Sequence, residues 1–473
     1  MGDNKVTWET VHEGRITRRR MLFGAAGAIG TAAFLAACGD DDDGDSGSSA
    51  TDAEGTTAGT GSGATASAET TGGAAATGDV AGIAALLGVE EASAGAGKTI
   101  ELGAVLALTG TGSFYGKTMS RGLDLAAKHI AANGGPTFTY NYFDHKSGDA
   151  AAGVQAMAEL VAKGVQVKFA SYVDDLGAML SATAESKMFT LDGGGGTSIF
   201  GQSQPYFWGT RAITPNDPMP GLFQWFKETY PDKKTVGLCG WDIGEPNNGI
   251  IREDILKRIA DAGLEFNDLY ELVPVGGQDF SQVLPKIKAN EPDLLLVSLY
   301  GQDPGSFANQ AATAGLTSVR IGFEFTPDGL NASKGTYDSE GYTFAYDYFD
   351  ANNPVSPLAK TFVAEFNAEY GENPDFYAAN FYENAFVMWE VMRRIWATDP
   401  EAEITGVALD AALRENLTVV SVYGGDESTV GSYTLDETTQ SVRKRVMGVF
   451  EYKGGTVTPK AFFDIDGADY KTA

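Results

Sequence analysis

Carboxylates, tyrosines and a run of glycines recur just after short apolar runs in this chain, and their types and spacing suit gripping a small charged molecule. Glu324, with help from Asp242 or Asp303, can pair with an ammonium through charge-assisted hydrogen bonds; the alternative is a surface or hinge salt bridge. Four glycines at 193–196, among them Gly194 and Gly195, precede Thr197 and an expected helix start. Successive backbone N–H groups in that position suit an anion, and glycine lets the backbone come close to a ligand; the alternative is a plain flexible turn. Tyr115 and Tyr300 either stack on a ligand or pack at a rim. Asp174 either touches a ligand or caps the helix that follows it.

Catalysis finds little in the sequence to build on. Residues 144–149, Asp-His-Lys-Ser-Gly-Asp, form the one local cluster that invites an acid–base or metal reading. It lacks a second histidine at helical spacing, and no Ser-His-Asp set stands out, so a loop or ion pair is preferred. Residues 109–116 lack the Lys-Ser/Thr ending of a phosphate loop, and Gly110-Thr111-Gly112 has no glycine three residues on. No catalytic residue, metal ligand or cofactor is assigned.

These residues need a frame that brings loops together. From residue 100 the chain alternates short β-like runs with helical patterns. Strands are expected at 100–108, 138–143, 165–170, 188–191, 235–239, 294–299 and 319–323, and helices at 120–132, 154–162, 358–370 and 377–396. Strand-then-helix repetition is the signature of parallel sheets covered on both faces. In such α/β sheets ligands bind beyond the carboxyl ends of the strands. Six strand-end loops that mix glycine, hydroxyls, aromatics and carboxylates would then converge on one cleft.

The N-terminal residues are of a different kind. Arg18 and Arg19 stand in Thr-Arg-Arg-Arg-Met-Leu, which has the form of a twin-arginine export signal. An apolar run follows from Met21 to Ala37, and Leu35-Ala36-Ala37-Cys38 resembles a bacterial lipobox. The run is short and rich in Ala and Gly, which fits a cleaved signal better than a permanent span. Residues 1–38 are therefore read as a lipoprotein signal ending at Cys38, with the acylated cysteine holding the protein on the outer face of a membrane. Residues 39–97 are rich in Gly, Ser, Ala and Asp and are read as a flexible tether, with one short helix near 80–87.

Composition sets further bounds. The 473 residues carry a formal charge of −29, which argues against nucleic acid as a partner. Roughly 375 residues remain beyond the tether, more than one core usually spans, so two lobes are expected. The only cysteines are Cys38 and Cys239, and the latter is read as an inert buried thiol.

The segment Ile100-Glu101-Leu102-Gly103-Ala104-Val105-Leu106-Ala107-Leu108-Thr109-Gly110, then Tyr115-Gly116, Arg121-Gly122 and Asn133-Gly134-Gly135, resembles the opening of type I periplasmic binding proteins. The similar branch is the one with leucine/isoleucine/valine-binding proteins. Gly276-Gly277-Gln278-Asp279-Phe280-Ser281, Pro292-Asp293-Leu294 and Gly315-Leu316 carry the resemblance into the second half. It implies an α/β two-lobed clamshell with three hinge crossings, lobe one at 98–212 and 346–435, lobe two at 213–345 and 436–473. It also implies a monomeric receptor that captures an amino acid or related small polar solute and passes it to ABC permease subunits. By the resemblance, a first-loop aromatic falls at Phe114 or Tyr115, and the loop that holds a ligand carboxylate falls at Ser171 to Asp174. A backbone-and-threonine loop falls at 193–197, an aromatic at Tyr300 and the ammonium's acidic partner at Glu324. A sensory receptor of the same fold and, further off, an exported hydrolase are the other readings.

Overall fold

Two sheets, each built around parallel strands, organise the chain in the computed structural model, which describes residues 82–171, 173–211, 216–347 and 349–473. The first holds β1 (Thr99–Leu106), β2 (Thr137–Asp144), β3 (Val167–Ala170), β4 (Phe189–Asp192), β5 (Phe207–Gly209), β11 (Thr418–Gly425), β12 (Val430–Asp436) and β13 (Ser441–Val442), in the order β11-β12-β13-β5-β4-β3-β1-β2. The second holds β6 (Thr235–Asp242), β7 (Glu265–Pro274), β8 (Leu294–Ser298), β9 (Val319–Gly322), β10 (Tyr342–Asp347), β14 (Val446–Lys453), β15 (Thr456–Asp464) and β16 (Lys471–Thr472), in the order β16-β15-β14-β10-β9-β8-β6-β7. β1 to β5 pair in parallel, as do β6 to β10, and the later strands of each sheet add antiparallel pairs at one side.

Burial explains the parallel strands. A strand covered by helices on both faces must be apolar at successive positions, and Leu294, Leu295, Leu296 and Val297 are all buried. In each sheet the first strand lies between the second and third, so the strand order reverses there. Crevices at such switch points, beyond the carboxyl ends, are where these sheets hold ligands.

The chain passes between the sheets three times, after β5, after β10 and after β13. The last crossing is later than the sequence suggests. Lobe one was expected to end at 435, but Leu435 pairs with Val442, and Ser441 continues beside Gly209 of β5. The return to the second sheet therefore falls at 443–445. Arg445 marks it, buried, paired with the buried Glu383 carboxylate and set against the rings of Tyr423 and Tyr433. The tether estimate also changes at its far end. Residues 83–86 form a short helix with Ile83 buried, Trp389 Nε1 donates to the Ala94 carbonyl at 2.8 Å, and Arg393 donates to the Gly88 carbonyl. The sequence from about 82 thus packs on lobe one.

Two helices carry most of lobe one's site. Ser113–Ala132 begins seven residues before the expected 120, so Tyr115 sits in its first turn instead of in a loop. Gly116 permits this, because a Cβ there would lie 2.1 Å from the Ala107 carbonyl oxygen. Phe376–Thr398 is capped by Asp375, which accepts from the Ala378 N–H at 2.8 Å and from Thr118 on the neighbouring helix. The two helices touch through Gly122, where a Cβ would stand 2.3 Å from the Ala378 carbonyl oxygen. Alanine gains up to about 1 kcal/mol of helix propensity over glycine, whereas forcing two backbones apart in a packed core costs about 1–3 kcal/mol. Gly122→Ala is therefore expected to lower the urea unfolding free energy; equal or greater stability would contradict this close packing.

Candidate functional site

A cavity of about 170 Å³ lies between the two lobes, at the carboxyl ends of their strands. Lobe one contributes Thr111, Tyr115, Ser147, Gly194, Arg211 and Tyr377. Lobe two contributes an apolar and aromatic wall that includes Leu238, Trp241, Ile251, Tyr270, Leu272 and Tyr300. Trp241 and Tyr300 meet edge to face at 5.3 Å, and Trp241 Nε1 donates to Asp303 Oδ2 at 2.7 Å.

Glu324 joins the lobes. It follows β9 and is fully buried beneath the cavity. The Tyr115 hydroxyl donates to its two carboxylate oxygens at 2.6 and 2.7 Å, and the Tyr377 hydroxyl donates to Oε2 at 2.9 Å. The Gly301 N–H donates to Oε1 and, at 2.7 Å, to the Tyr115 oxygen. From below, the Tyr342 hydroxyl donates to the Glu324 carbonyl at 3.0 Å. Gly322 makes room for that tyrosine, since a Cβ there would collide with its hydroxyl. Burial pushes the Glu324 carboxyl up from 4.5 to about 7, although the phenols and the Gly301 N–H favour its charged form.

The glycine loop is likewise turned inward. The Gly194 N–H donates to Asp192 Oδ1 at 2.7 Å, and the Thr197 hydroxyl donates to Oδ2 at 2.6 Å. The Gly195 N–H also favours the Asp192 anion, while burial pushes that carboxyl up from 3.8 to about 7. The loop therefore cradles an anion, but the anion is the protein's own. Gly194 reaches the cavity, and its carbonyl accepts from Arg211 Nη1 at 2.9 Å.

Among the sequence-derived candidates, Tyr115, Gly194 and Tyr300 line the cavity together. Glu324 lies directly behind Tyr115. Phe114 is half-buried and packs edge to face on Tyr115 at 5.7 Å, outside the lining. Gly195 and Thr197 serve Asp192 as described. Ser171 is buried elsewhere, with its hydroxyl 3.1 Å from His145 Nε2, while His145 Nδ1 accepts from the Gly148 N–H. Asp242 is exposed and holds the next turn, accepting from the Gly244 N–H at 3.0 Å and from Asn248 Nδ2 at 2.6 Å. Asp174 lies in the helix Val173–Ser186, and its side chain is outside the described residues, as are Arg18, Arg19 and Cys38. Among the described residues, no cluster of three or more His, Cys, Asp or Glu side chains could hold a metal ion, and no helix is long and apolar enough to cross a membrane. Cys239 is buried, and its thiol is pushed up to about 12 by burial.

Two residues were missed. Tyr377 stands on a helix 53 positions from Glu324 and carries no local signal of that contact. Arg211 follows β5, a strand too short to read from periodicity. A cation just after the apolar Phe207-Trp208 pair was the signal available.

Glu324 makes stability depend on pH. Its folded value is raised, so its contribution is fully present below 4.5 and is lost as pH rises through about 7. His129, lowered to about 4 by burial, acts in the opposite sense. The difference between wild type and Glu324→Gln cancels it. That difference is expected to fall by about 2 kcal/mol from pH 5 to pH 8 in denaturant titrations; a difference that does not change with pH would remove Glu324 from this role.

The comparisons agree with this architecture. The sequence model of the family described as periplasmic binding protein matches residues 99–456. A Leu/Ile/Val-binding protein homolog of Brucella abortus is 23% identical over 405 residues, covering 78% of this chain and 93% of that protein. A leucine-binding protein of Thermotoga maritima superposes with a TM-score of 0.64 at 18% identity, covering 77% of this chain and 98% of the other. A solute-binding protein of Rhodopseudomonas palustris, solved with benzoate, superposes with a TM-score of 0.64 at 18% identity, covering 79% and 98%. The α/β architecture is that of a two-lobed type I periplasmic binding protein, and the chain belongs to the periplasmic binding protein family.

Proposed function

We propose that this protein is the extracytoplasmic receptor of an ABC importer, capturing one small solute per monomer by closing its lobes and presenting it to the permease. The observation that carries the reading is the cavity between the strand ends of both lobes, with Tyr115 and Tyr377 of one lobe hydrogen-bonded to Glu324 of the other. A ligand touching both walls favours the closed form by its differential affinity for the two forms. The receptor itself performs no covalent chemistry, and ATP hydrolysis belongs to separate subunits. Small-angle scattering is expected to show a smaller radius of gyration when the solute is bound; an unchanged radius at saturation would contradict the reading.

The N-terminal sequence supports a tethered receptor. Export through Arg18 and Arg19 and acylation at Cys38 would keep the domain beside its permease, with residues after Cys38 as the leash. Two or more acyl chains anchor stably where one does not. Cys38→Ser is expected to abolish labelling by a palmitate analogue and to release the protein from the membrane fraction. Persistent labelling would place the anchor elsewhere.

A further inference from the structure

Buried titratable groups are spread through both lobes, and most are served from within their own lobe. The Asp192 carboxyl, raised by burial to about 7, is held by Gly194, Gly195 and Thr197. Asp375, raised by burial to about 6, is held by Thr118 and Ala378. His129 faces Tyr382, again within lobe one, and Asp303 accepts from Trp241 within lobe two. The ion pairs Arg211–Asp347 and Arg445–Glu383 sit at the chain crossings, where a hinge keeps its residues together. Parting the lobes leaves all of these contacts in place. Glu324 is different. It belongs to lobe two, while Tyr115 and Tyr377, whose hydroxyls cover both of its carboxylate oxygens, belong to lobe one. Parting the lobes takes both phenols away and gives the carboxyl to water.

We propose that Glu324 makes closure of the lobes proton-dependent: the protonated carboxyl holds the cleft shut, and its ionisation loosens it. Closed, the group is fully buried; open, it returns to the ordinary carboxylate range. An ionised carboxyl loses far more hydration on burial than a neutral one. The neutral form also fits its surroundings, since a proton on Oε2 donates to the Tyr377 oxygen while Oε1 still accepts from Tyr115 and Gly301. The charged and titratable groups that face it from the neighbouring elements do not cancel this. Arg211, after β5, favours the charged form but is itself paired with Asp347. Tyr342 on β10 and Tyr337 on the helix Thr336–Glu340 lie beneath, and burial pushes both phenols up, so they stay neutral. Tyr300 stands next to Gly301 and faces Tyr342. Burial holds the closed carboxyl at about 7 against 4.5 in water. The contribution to closure is therefore complete below 4.5 and is lost as pH rises through about 7. A captured solute is held more firmly at acid pH and is given up as pH rises.

This proposal rests on the solute-receptor reading, but its test needs no solute. Spin labels at Val154→Cys in lobe one and Val457→Cys in lobe two report the closed and open populations of the solute-free protein. The ratio of closed to open is expected to fall about 10- to 100-fold from pH 5 to pH 8. Glu324→Gln carries the neutral shape at every pH, and its ratio is expected to stay at the acid value. Tyr115→Phe keeps the ring but removes the donor that touches both oxygens, and is expected to open at lower pH than wild type; this variant serves if the glutamine form folds poorly. A ratio in wild type that ignores pH, a pH dependence as large in Glu324→Gln as in wild type, or an unshifted transition in Tyr115→Phe overturns the proposal. Each of these leaves the receptor reading standing, because the radius of gyration with and without solute tests that reading separately. A molecule whose dimensions ignore both pH and solute removes both.

Discussion

A buried carboxylate reached from both lobes is the constraint around which this molecule is arranged. Glu324 is offered three donors, and two of them, the Tyr115 and Tyr377 hydroxyls, come from the opposite lobe. Burying a carboxylate costs several kcal/mol unless such partners are supplied, and the elements nearby all serve that supply. Gly116 lets the helix Ser113–Ala132 begin early enough to present Tyr115, Gly122 lets the neighbouring helix come close, and Asp375 caps that helix two residues before Tyr377. In the lobe opening that the proposed function requires, water replaces the phenols. Each hydrogen bond lost to water costs about 1 kcal/mol net, so Glu324 biases the lobes towards closure, and under the proposed function a ligand adds to that bias.

The same economy governs the anion side. Asp192 accepts from the Gly194 and Gly195 N–H groups, and the Gly194 carbonyl in turn accepts from Arg211 in the cavity lining. Arg211 sits where the chain first leaves lobe one, is paired with Asp347 where the chain leaves lobe two, and so ties the cavity lining to the crossings.

Much of this frame was readable in the residues. The parallel strands declared themselves as apolar runs, and β8 at Leu294–Ser298 and the helix Pro357–Tyr370 match the expected ranges within one residue. β5, only three residues long, and the half-buried edge strand β7 gave no usable period. The antiparallel strands β11 to β16 were also unassigned. The positions Tyr115, Gly194 and Tyr300 followed from the rule that ligands sit at strand ends, although Tyr115 stands in a helix's first turn and not in a loop. What the sequence did not reveal was which groups satisfy one another. Glu324 and the glycine loop have the right chemistry for a zwitterion, but tertiary contacts with Tyr377 and Asp192 consume it, and such pairings across 53 positions or within a sharp turn leave no periodic trace.

The central claim is that the two lobes swing about the crossings and are drawn together over the cavity by Glu324. Spin labels at Val154→Cys and Val457→Cys, exposed positions on opposite lobes, report this directly through their distance distribution. The account predicts a narrow, shorter distance when the solute is bound and a broader, longer one in Glu324→Ala without solute. One unchanged distance in wild type and variant, with and without solute, would contradict it.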